Sequence, residues 1–427
     1  MANTEIDMNT AVTIAAGRET LIAEFERVRH YTETLCSPLA TDDYLIQSIE
    51  QTSPPKWHIA HVSWFFEAFV LSHFQSDYQP YHPGFALLFN SYYYSVGVMH
   101  PRANRGLLSR PVVAEVYRYR AHVDQSMREL MESVDDTQWE DLAFRVILGL
   151  NHEEQHQELL LMDIKHNFSV NPLKPAYRDD LKTPQGETRP MCWLDRAGGI
   201  RQVGHDGSGF AYDNETPRHA VLLRDHRLAD RLITNGEYLA FIEDGGYDDP
   251  ALWLSDGWML IQREDWHHPL YWEEVDDGGM QFTLGGMRKL DPHEPVCHLS
   301  FYEADAYARW AGKRLPLEGE LETLLEERPV AGNFAGSGLL HPAPASDAGQ
   351  WYGDLWAWTA SPYAAYPGFK PLAGSMGEYN GKFMSNQMVL KGGCCVTPDG
   401  HTRASYRNFF YPDERWAFTG LRLAEDA

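Results

Sequence analysis

The chain has 427 residues and a formal net charge of −25, long enough for two or three domains with sizeable cores. So acidic a chain is a poor nonspecific ligand for nucleic acid or anionic membrane surfaces, and no apolar run is long enough to span a bilayer. The five cysteines, Cys36, Cys192, Cys297, Cys394 and Cys395, are odd in number and widely spaced. They are expected as small buried thiols, not as a disulfide framework or a zinc site.

Residues 1–18 carry Glu5 and Asp7 and lack the basic start and apolar core of a signal peptide. They read as a flexible lead-in, with cytoplasmic residence the default. Apolar spacing at Leu21, Ile22, Phe25, Val28 and Tyr31 predicts a first helix over Glu19 to Leu35. After Ser53-Pro54-Pro55 a second helix is expected through His58, His61, Trp64, Phe65 and Phe69 to Phe74, broken at Pro80 to Gly84. A third starts after Arg110-Pro111 and reaches Leu130, and a fourth runs from Trp139 to His166. Four long helices with antiparallel connections predict an up-down bundle over 19–172, a fold that builds metal sites from facing helices.

Residues 173–190 are rich in Pro, Lys and Asp and read as a linker. From 191 to 427 short apolar stretches (Ile200 to Gly204, Ala220 to Leu223, Gly278 to Leu284) alternate with Gly, Asp and Pro clusters. Helices are expected at Thr234 to Asp244, Phe301 to Ala311 and Leu317 to Leu325. This is an α+β texture.

The chemistry centres on Asn151 to Glu158. His152 and His156 stand four apart and so share one face of the fourth helix. His152-Glu153-Glu154-Gln155-His156 matches the zinc-protease spacing, in which Glu153 would be the general base. Upstream, His58 and His61 share a face of the second helix. One of them with the later pair would make three nitrogen ligands and leave three positions of an octahedral ion open, which suits a redox iron that binds substrate and dioxygen. The alternative for His58 is a packing or capping role. Tyr92, Tyr93 and Tyr94 put three phenols in a row, able to donate a proton near such a metal or simply to form an aromatic loop.

Taken together, Ser53 to His61, Trp64 to Glu67, Phe89 to Tyr93 and Gly149 to Glu158 resemble the sulfoxide synthases of ergothioneine biosynthesis. In the second half Asp213 to His219, Ala308 to Pro316, Gly377 to Met384, Val389 to Gly393, Tyr406 to Phe410 and Gly420 to Arg422 are similar to that family's second domain. The resemblance runs over nearly the whole chain from about residue 20. It implies a DinB-like four-helix bundle followed by a C-type-lectin-like, formylglycine-generating-enzyme-like α+β domain that contributes the substrate pocket. It further implies an Fe(II) enzyme using O2 to join hercynine to the sulfur of cysteine or γ-glutamylcysteine as a sulfoxide.

On that resemblance the iron ligands are His61, His152 and His156, and Glu153 loses its protease role. Tyr93, with Tyr92 beside it, is the expected catalytic phenol, and Gln155 the expected hercynine contact. Trp416, Phe409 and Phe410 are candidates to face the trimethylammonium group. Arg415 and Arg407 are candidates for a substrate carboxylate, and Asn408 falls in the same motif. Tyr94, Cys394 and Leu317 depart from the family pattern, and Tyr94 and Cys394 bear on the donor. A sister enzyme joining hercynine to a selenosugar, a selenoneine synthase, is therefore an alternative. A zinc metalloprotease and a non-enzymatic bundle fused to a lectin-like binding module are the readings from other classes.

Overall fold

The computed structural model describes residues 17–273, 278–345 and 349–427; the lead-in expected over 1–18 lies, up to residue 16, outside them. The chain divides into two compact units. The first is residues up to Asn167 together with His205–Thr216 and Phe369–Lys382; the second is Phe168–Gly204, Pro217–Gly368 and Phe383–Ala427. Two short segments from beyond residue 191 thus pack with the helices of the first half.

The first unit is built on α1 (Arg18–Cys36), α2 (Pro55–Phe66), α3 (Val113–Ser133) and α4 (Trp139–Ser169). Helix α1 buries Leu21, Phe25, Val28, Thr32 and Leu35, a stripe at helical spacing. Helix α2 starts on Pro55, where a missing N–H costs nothing. All twelve of its residues are buried, so it is the bundle's core helix. It continues through a π-helical turn, Glu67–Leu71, before ending at Phe74. The buried Glu67 carboxylate in that turn accepts from Tyr119 Oη (2.7 Å), Tyr78 Oη (3.0 Å) and Tyr81 N (2.9 Å). At Gly149 in α4 a Cβ would stand 2.5 Å from the Phe66 ring. Glycine there lets α4 lie close against α2, one turn before His152.

The second unit has the expected α+β texture. Strands β1 (Trp193–Arg196), β2 (Gly199–Val203), β3 (His219–Leu223) and β4 (His226–Ala229) open it. The β2–β3 pair is antiparallel, with Val203 opposite His219. Helix α5 (Asn235–Glu243) starts on a Thr234–Glu237 capping box. Helix α6 (Ser255–Glu264) had no counterpart in the sequence expectations. Its apolar set is short and includes Gly257, where a Cβ would stand 2.8 Å from Tyr302 Cβ, so close helix packing replaces a long apolar stripe.

Strands β5 (Trp272–Glu273), β6 (Met280–Thr283) and β7 (Gly286–Lys289) form one antiparallel sheet. Helix α7 (Phe301–Trp310) is capped by Ser300 and Glu303, and α8 (Glu318–Leu325) follows. Strands β8 (Gly332–Asn333) and β9 (Tyr352–Gly353) make a short parallel pair. Strands β10 (Trp356–Pro362), β11 (Met388–Lys391), β12 (Asn408–Phe410) and β13 (Thr419–Gly420) form a sheet in the order β12-β11-β10-β13, and β14 (Ala424–Asp426) joins β4. Between Ser169 and Trp193 the described chain has no regular element, and Tyr177 N donates to Leu284 O at 2.9 Å. Cys36, Cys297, Cys394 and Cys395 are buried, as expected, but Cys192 is exposed. It precedes β1, where its backbone N–H is tied down by Asp230 Oδ1 at 3.0 Å. No described helix is long and apolar enough to cross a membrane.

Candidate metal centre

His61 on α2 and His152 and His156 on α4 bring one ring nitrogen each within 4.8 Å of one another. Their tautomers follow from their partners. His61 Nδ1 lies 2.6 Å from Phe89 O. A carbonyl only accepts, so Nδ1 carries the proton and Nε2 presents its lone pair. On the far side of His156, Asp163 Oδ2 is 2.9 Å from His58 Nε2 and accepts from Ser53 N at 2.7 Å. That oxygen accepts from His58 Nε2 as it does from Ser53 N, so His58 Nδ1 is the acceptor for His156 Nδ1 at 2.8 Å. That leaves His156 Nε2 unprotonated. His58 is therefore held by both ring nitrogens, between Asp163 and His156.

The donor set fits a divalent transition ion. His61 Nε2 and His152 Nε2 face each other at 3.2 Å. Two imidazole nitrogens bound side by side to one ion at about 2.1 Å each stand about 3 Å apart. Burial, followed by the neighbouring His152, holds the His61 imidazole well below its ordinary pKa; burial takes His152 down to about 3, and burial followed by His152 and His61 lowers His156. All three are neutral around pH 7, the form that ligates. Trp57 stacks on His61 at 4.5 Å, and Phe65 lies 4.6 Å from His152, a dry aromatic surround.

Glu153 points away from this cluster. Its carboxylate accepts from Arg29 Nη1 (2.8 Å), Arg120 Nη2 (2.7 Å) and Thr32 Oγ1 (2.6 Å), and its side chain is 0 % exposed. Burial alone would raise its pKa, but Arg120 and Arg29 bring it down to about 2. A carboxylate held ionised by two guanidiniums cannot serve as the base of a zinc protease, and that reading is withdrawn.

Tyr93 is fully buried, with its ring 4.6 Å from Tyr92, 4.8 Å from Phe69 and 5.8 Å from Trp64. The Tyr92 and Tyr93 hydroxyls are 3.5 Å apart. Burial raises both phenol pKa values, so both keep their protons at neutral pH. Tyr94, by contrast, is exposed, and its N–H donates to Glu378 Oε2 at 3.0 Å. Glu378 also accepts from Ser95 N at 2.9 Å, and Lys382 Nζ donates to Tyr92 O. These bonds clip the segment Phe369–Lys382 onto the tyrosine loop. The segment delivers Tyr379, whose ring lies 5.6 Å from His152 and whose hydroxyl donates to Gln155 Oε1.

Residues 24–160 match the DinB superfamily, and residues 180–334 match the sulfatase-modifying factor enzyme 1-like domain. The hercynine oxygenase of Mycolicibacterium smegmatis is 32% identical over 96% of this chain and 99% of its own length. The chain belongs to the hercynine oxygenase family. The hercynine oxygenase of Mycolicibacterium thermoresistibile is 30% identical over 88% of this chain and 87% of its own. The ergothioneine biosynthesis protein 1 of Schizosaccharomyces pombe is 29% identical over 51% of this chain and 28% of its own. The protein is thus an oxidoreductase of ergothioneine biosynthesis, with a DinB-like helical domain followed by a formylglycine-generating-enzyme-like one.

Of the residues the sequence offered for substrate binding in this hercynine oxygenase family member, Gln155 stands in the first unit beside the histidines, and the rest belong to the second. There Arg407 forms a two-pronged pair with Glu318 (2.6 and 3.2 Å) and lies over the Tyr366 ring. Arg415 bonds Glu303 Oε1 at 3.1 Å and covers the Trp266 ring. The Arg407 fork already holds one of the protein's own carboxylates, whereas Arg415 gives only its Nη1 to Glu303. Trp416 is buried edge-on against Phe410 at 5.2 Å, a core contact instead of an open aromatic face. Phe409 stacks on Tyr363 at 4.0 Å, and Asn408 Oδ1 accepts from Phe409 N.

Three residues escaped the sequence reading. Asp163 is seven residues after His156, two turns along the same face. Tyr379 sits in the Gly377 to Met384 motif, which was taken only as a fold marker. Arg105 belongs to an Arg102-x-x-Arg105 pair just after the tyrosines. Its side chain is 3 % exposed, lies 3.4 Å over Trp57, and bonds Ser53 Oγ (2.9 Å) and Ser91 Oγ (3.0 Å). No carboxylate lies within 4.0 Å of it among the described residues, and its Nε has no partner there. Burial pulls its pKa well below the usual arginine range.

Proposed function

We propose that this enzyme joins hercynine to the sulfur of cysteine or γ-glutamylcysteine, using Fe(II) and O2. The ring C–H and the thiol S–H are lost, a C–S bond forms, one oxygen atom enters the sulfoxide, and the other leaves as water with the two hydrogens. The observation that carries this reading is the cluster of three neutral imidazoles, two with tautomers fixed by protein acceptors, which leaves three positions of an octahedral ion open. His61, His152 and His156 would hold the iron. Bound there, iron(II) supplies Lewis acidity toward the thiol and one-electron chemistry with dioxygen.

The protein's own groups do the rest. Phe89 O and the Asp163–His58 pair aim two of the ligand imidazoles. Trp57 and Phe65 keep water from the ligand face. Gln155, whose carbonyl oxygen accepts from Tyr379 Oη, is the proposed contact for the hercynine imidazole. Arg105 offers an uncompensated cation for the carboxylate of the thiol substrate. Tyr93, Tyr92 and Tyr379 are protonated phenols in the same unit, and Tyr93 remains the proposed proton donor. Holding both substrates at one centre removes the entropy cost of their encounter.

The test is turnover of anaerobically iron-loaded protein given hercynine, O2 and, in separate reactions, cysteine, γ-glutamylcysteine and a selenosugar. A sulfoxide product by mass spectrometry from one of the thiols is expected, and its loss with metal binding in His61→Ala. Absence of C–S product from both thiols overturns the reading; product from the selenosugar alone points to the selenium analogue.

A further inference from the structure

Two tyrosines of the first unit share one buried carboxylate, apart from the phenols beside the histidines. Glu67, in the π-helical turn that continues α2, is 4 % exposed. Its Oε2 accepts from Tyr119 Oη at 2.7 Å, and its Oε1 accepts from Tyr78 Oη at 3.0 Å and Tyr81 N at 2.9 Å. Among the described residues Glu67 has no Lys, Arg or His partner, and a buried carboxylate held by neutral donors alone is costly. Tyr119 is fully buried on α3. Tyr78 is half-buried, and its ring lies 6.4 Å from that of the exposed His122. The two phenols thus lead from the core to the surface through one acceptor.

Tyr119 is also joined to the ligand side of the bundle. Its ring is stacked on Phe89 at 6.4 Å, with 20° between the planes, and Phe85 lies 4.9 Å from it. The Phe89 carbonyl is the group that holds His61 Nδ1. Glu67 follows His61 by six residues on one continuous helix, about 9 Å along its axis. Burial, followed by the Glu67 carboxylate, raises the pKa of both phenols, so each keeps its proton at neutral pH. A phenol that gives up an electron becomes a strong acid, and here each has a carboxylate oxygen in hydrogen-bond contact to receive the proton. Trp57 is nearer the histidines, stacked on His61 at 4.5 Å, but the Arg105 guanidinium lies 3.4 Å over its ring. That contact depends on the electron-rich face of the indole, so taking an electron from Trp57 sets two positive charges together. Beside the Glu67 carboxylate the same loss is favoured.

We propose that Tyr119 is a redox-active residue: when dioxygen is consumed at the metal centre without C–S bond formation, Tyr119 supplies an electron and Glu67 takes its proton. This rests on the iron(II) reading above. The step breaks the Tyr119 Oη–H bond and forms an O–H bond on Glu67 Oε2, and the electron goes to the dioxygen being reduced. Tyr78 then refills Tyr119 with an electron, while Glu67 returns the first proton to Tyr119 Oη and takes that of Tyr78 Oη. A thiol in solution reduces Tyr78, and Glu67 gives the proton back to Tyr78 Oη. The thiol proton goes to water, and two thiyl radicals couple to a disulfide. The histidines and Trp57 are thereby spared oxidation.

The experiment exposes iron-loaded protein to O2 and cysteine without hercynine. It is followed by freeze-quench electron paramagnetic resonance and by peptide mass mapping of oxidised side chains, with metal analysis in parallel. A tyrosyl signal is expected, narrowed when the protein carries ring-deuterated tyrosine. Tyr119→Phe should remove most of it, and Tyr93→Phe should leave it. In Tyr119→Phe, oxidation of the peptide carrying Trp57 and His61 should rise several-fold, with the starting rate in the presence of hercynine unchanged. Tyr78→Phe, at a half-buried position, should keep the signal and lengthen its life several-fold. A missing tyrosyl signal in iron-loaded protein, a signal unmoved by Tyr119→Phe, or a lifetime unmoved by Tyr78→Phe overturns the proposal. A sulfoxide-forming enzyme with any of those results leaves the proposed function standing, whereas protein that takes up no iron overturns that function and this step with it.

Discussion

Replacing Glu153 by Gln leaves Arg29 and Arg120 facing a neutral amide in a site closed to water. Removing one partner of a buried ion pair costs about 3–5 kcal/mol, because the remaining charge is left uncompensated. Arg29 keeps Asp124 at 2.7 Å and Arg120 keeps Glu33 at 3.3 Å, which puts the expected loss at the low end, about 3 kcal/mol. The titration of Glu153 leads to a similar size. Its pKa falls from an ordinary 4.5 to about 2, and that gap corresponds to about 3 kcal/mol of stability. The group is more acidic in the folded chain than in the unfolded one. Its contribution is therefore complete above about pH 4.5 and disappears as the pH falls toward 2. Urea unfolding of the metal-free protein at pH 7, followed by tryptophan fluorescence and circular dichroism, measures the loss. Repeating it at pH 3 should shrink the difference between the two proteins. A Glu153→Gln protein as stable as the parent but without turnover would refute the argument, because the carboxylate would then be acting on substrate and not on Arg29 and Arg120.

Other perturbations separate the roles of neighbouring groups. Asp163→Asn breaks the chain that sets the His156 tautomer, and iron affinity should drop about 10- to 100-fold, read by metal analysis after dialysis and by the spectrum of the cobalt-substituted protein. In Arg105→Met the KM of the thiol substrate should rise about tenfold or more, with hercynine binding by calorimetry unchanged. Tyr379→Phe removes the hydroxyl that holds Gln155, so hercynine affinity should weaken about three- to tenfold. Gly149→Ala pushes a methyl into Phe66 and should lower stability by about 1–3 kcal/mol, visible as a lower thermal midpoint even without metal.

The helices of the first half were legible because burial there follows helical spacing. The stripe Leu21, Phe25, Val28 and the all-buried α2 leave the chain few other ways to hide them. The pair His152 and His156 was legible for the same reason, as a spacing on one helix. Helix α6 was not, because its short apolar set is interrupted by Gly257 and flanked by charges, and its packing partner Tyr302 lies far along the chain. Nor was the π-helical turn at Glu67, whose carboxylate is satisfied by Tyr78, Tyr81 and Tyr119 from outside the helix.

What the amino-acid sequence determined by itself was local and chemical. It placed two imidazoles on one helix face, two more on another, a run of phenols between them, and the motifs that resemble one enzyme family. Only the tertiary structure decided which of these groups were free to act. Arg407 looked available until Glu318 was found on its fork; Glu153 looked like a base until Arg29 and Arg120 were found around it. His58 became a link to Asp163, and Tyr379 came from 224 residues away to meet Gln155. The physical reason is that a side chain's charge, tautomer and reach depend on partners brought by folding, and sequence spacing specifies such partners only within a helical turn or two.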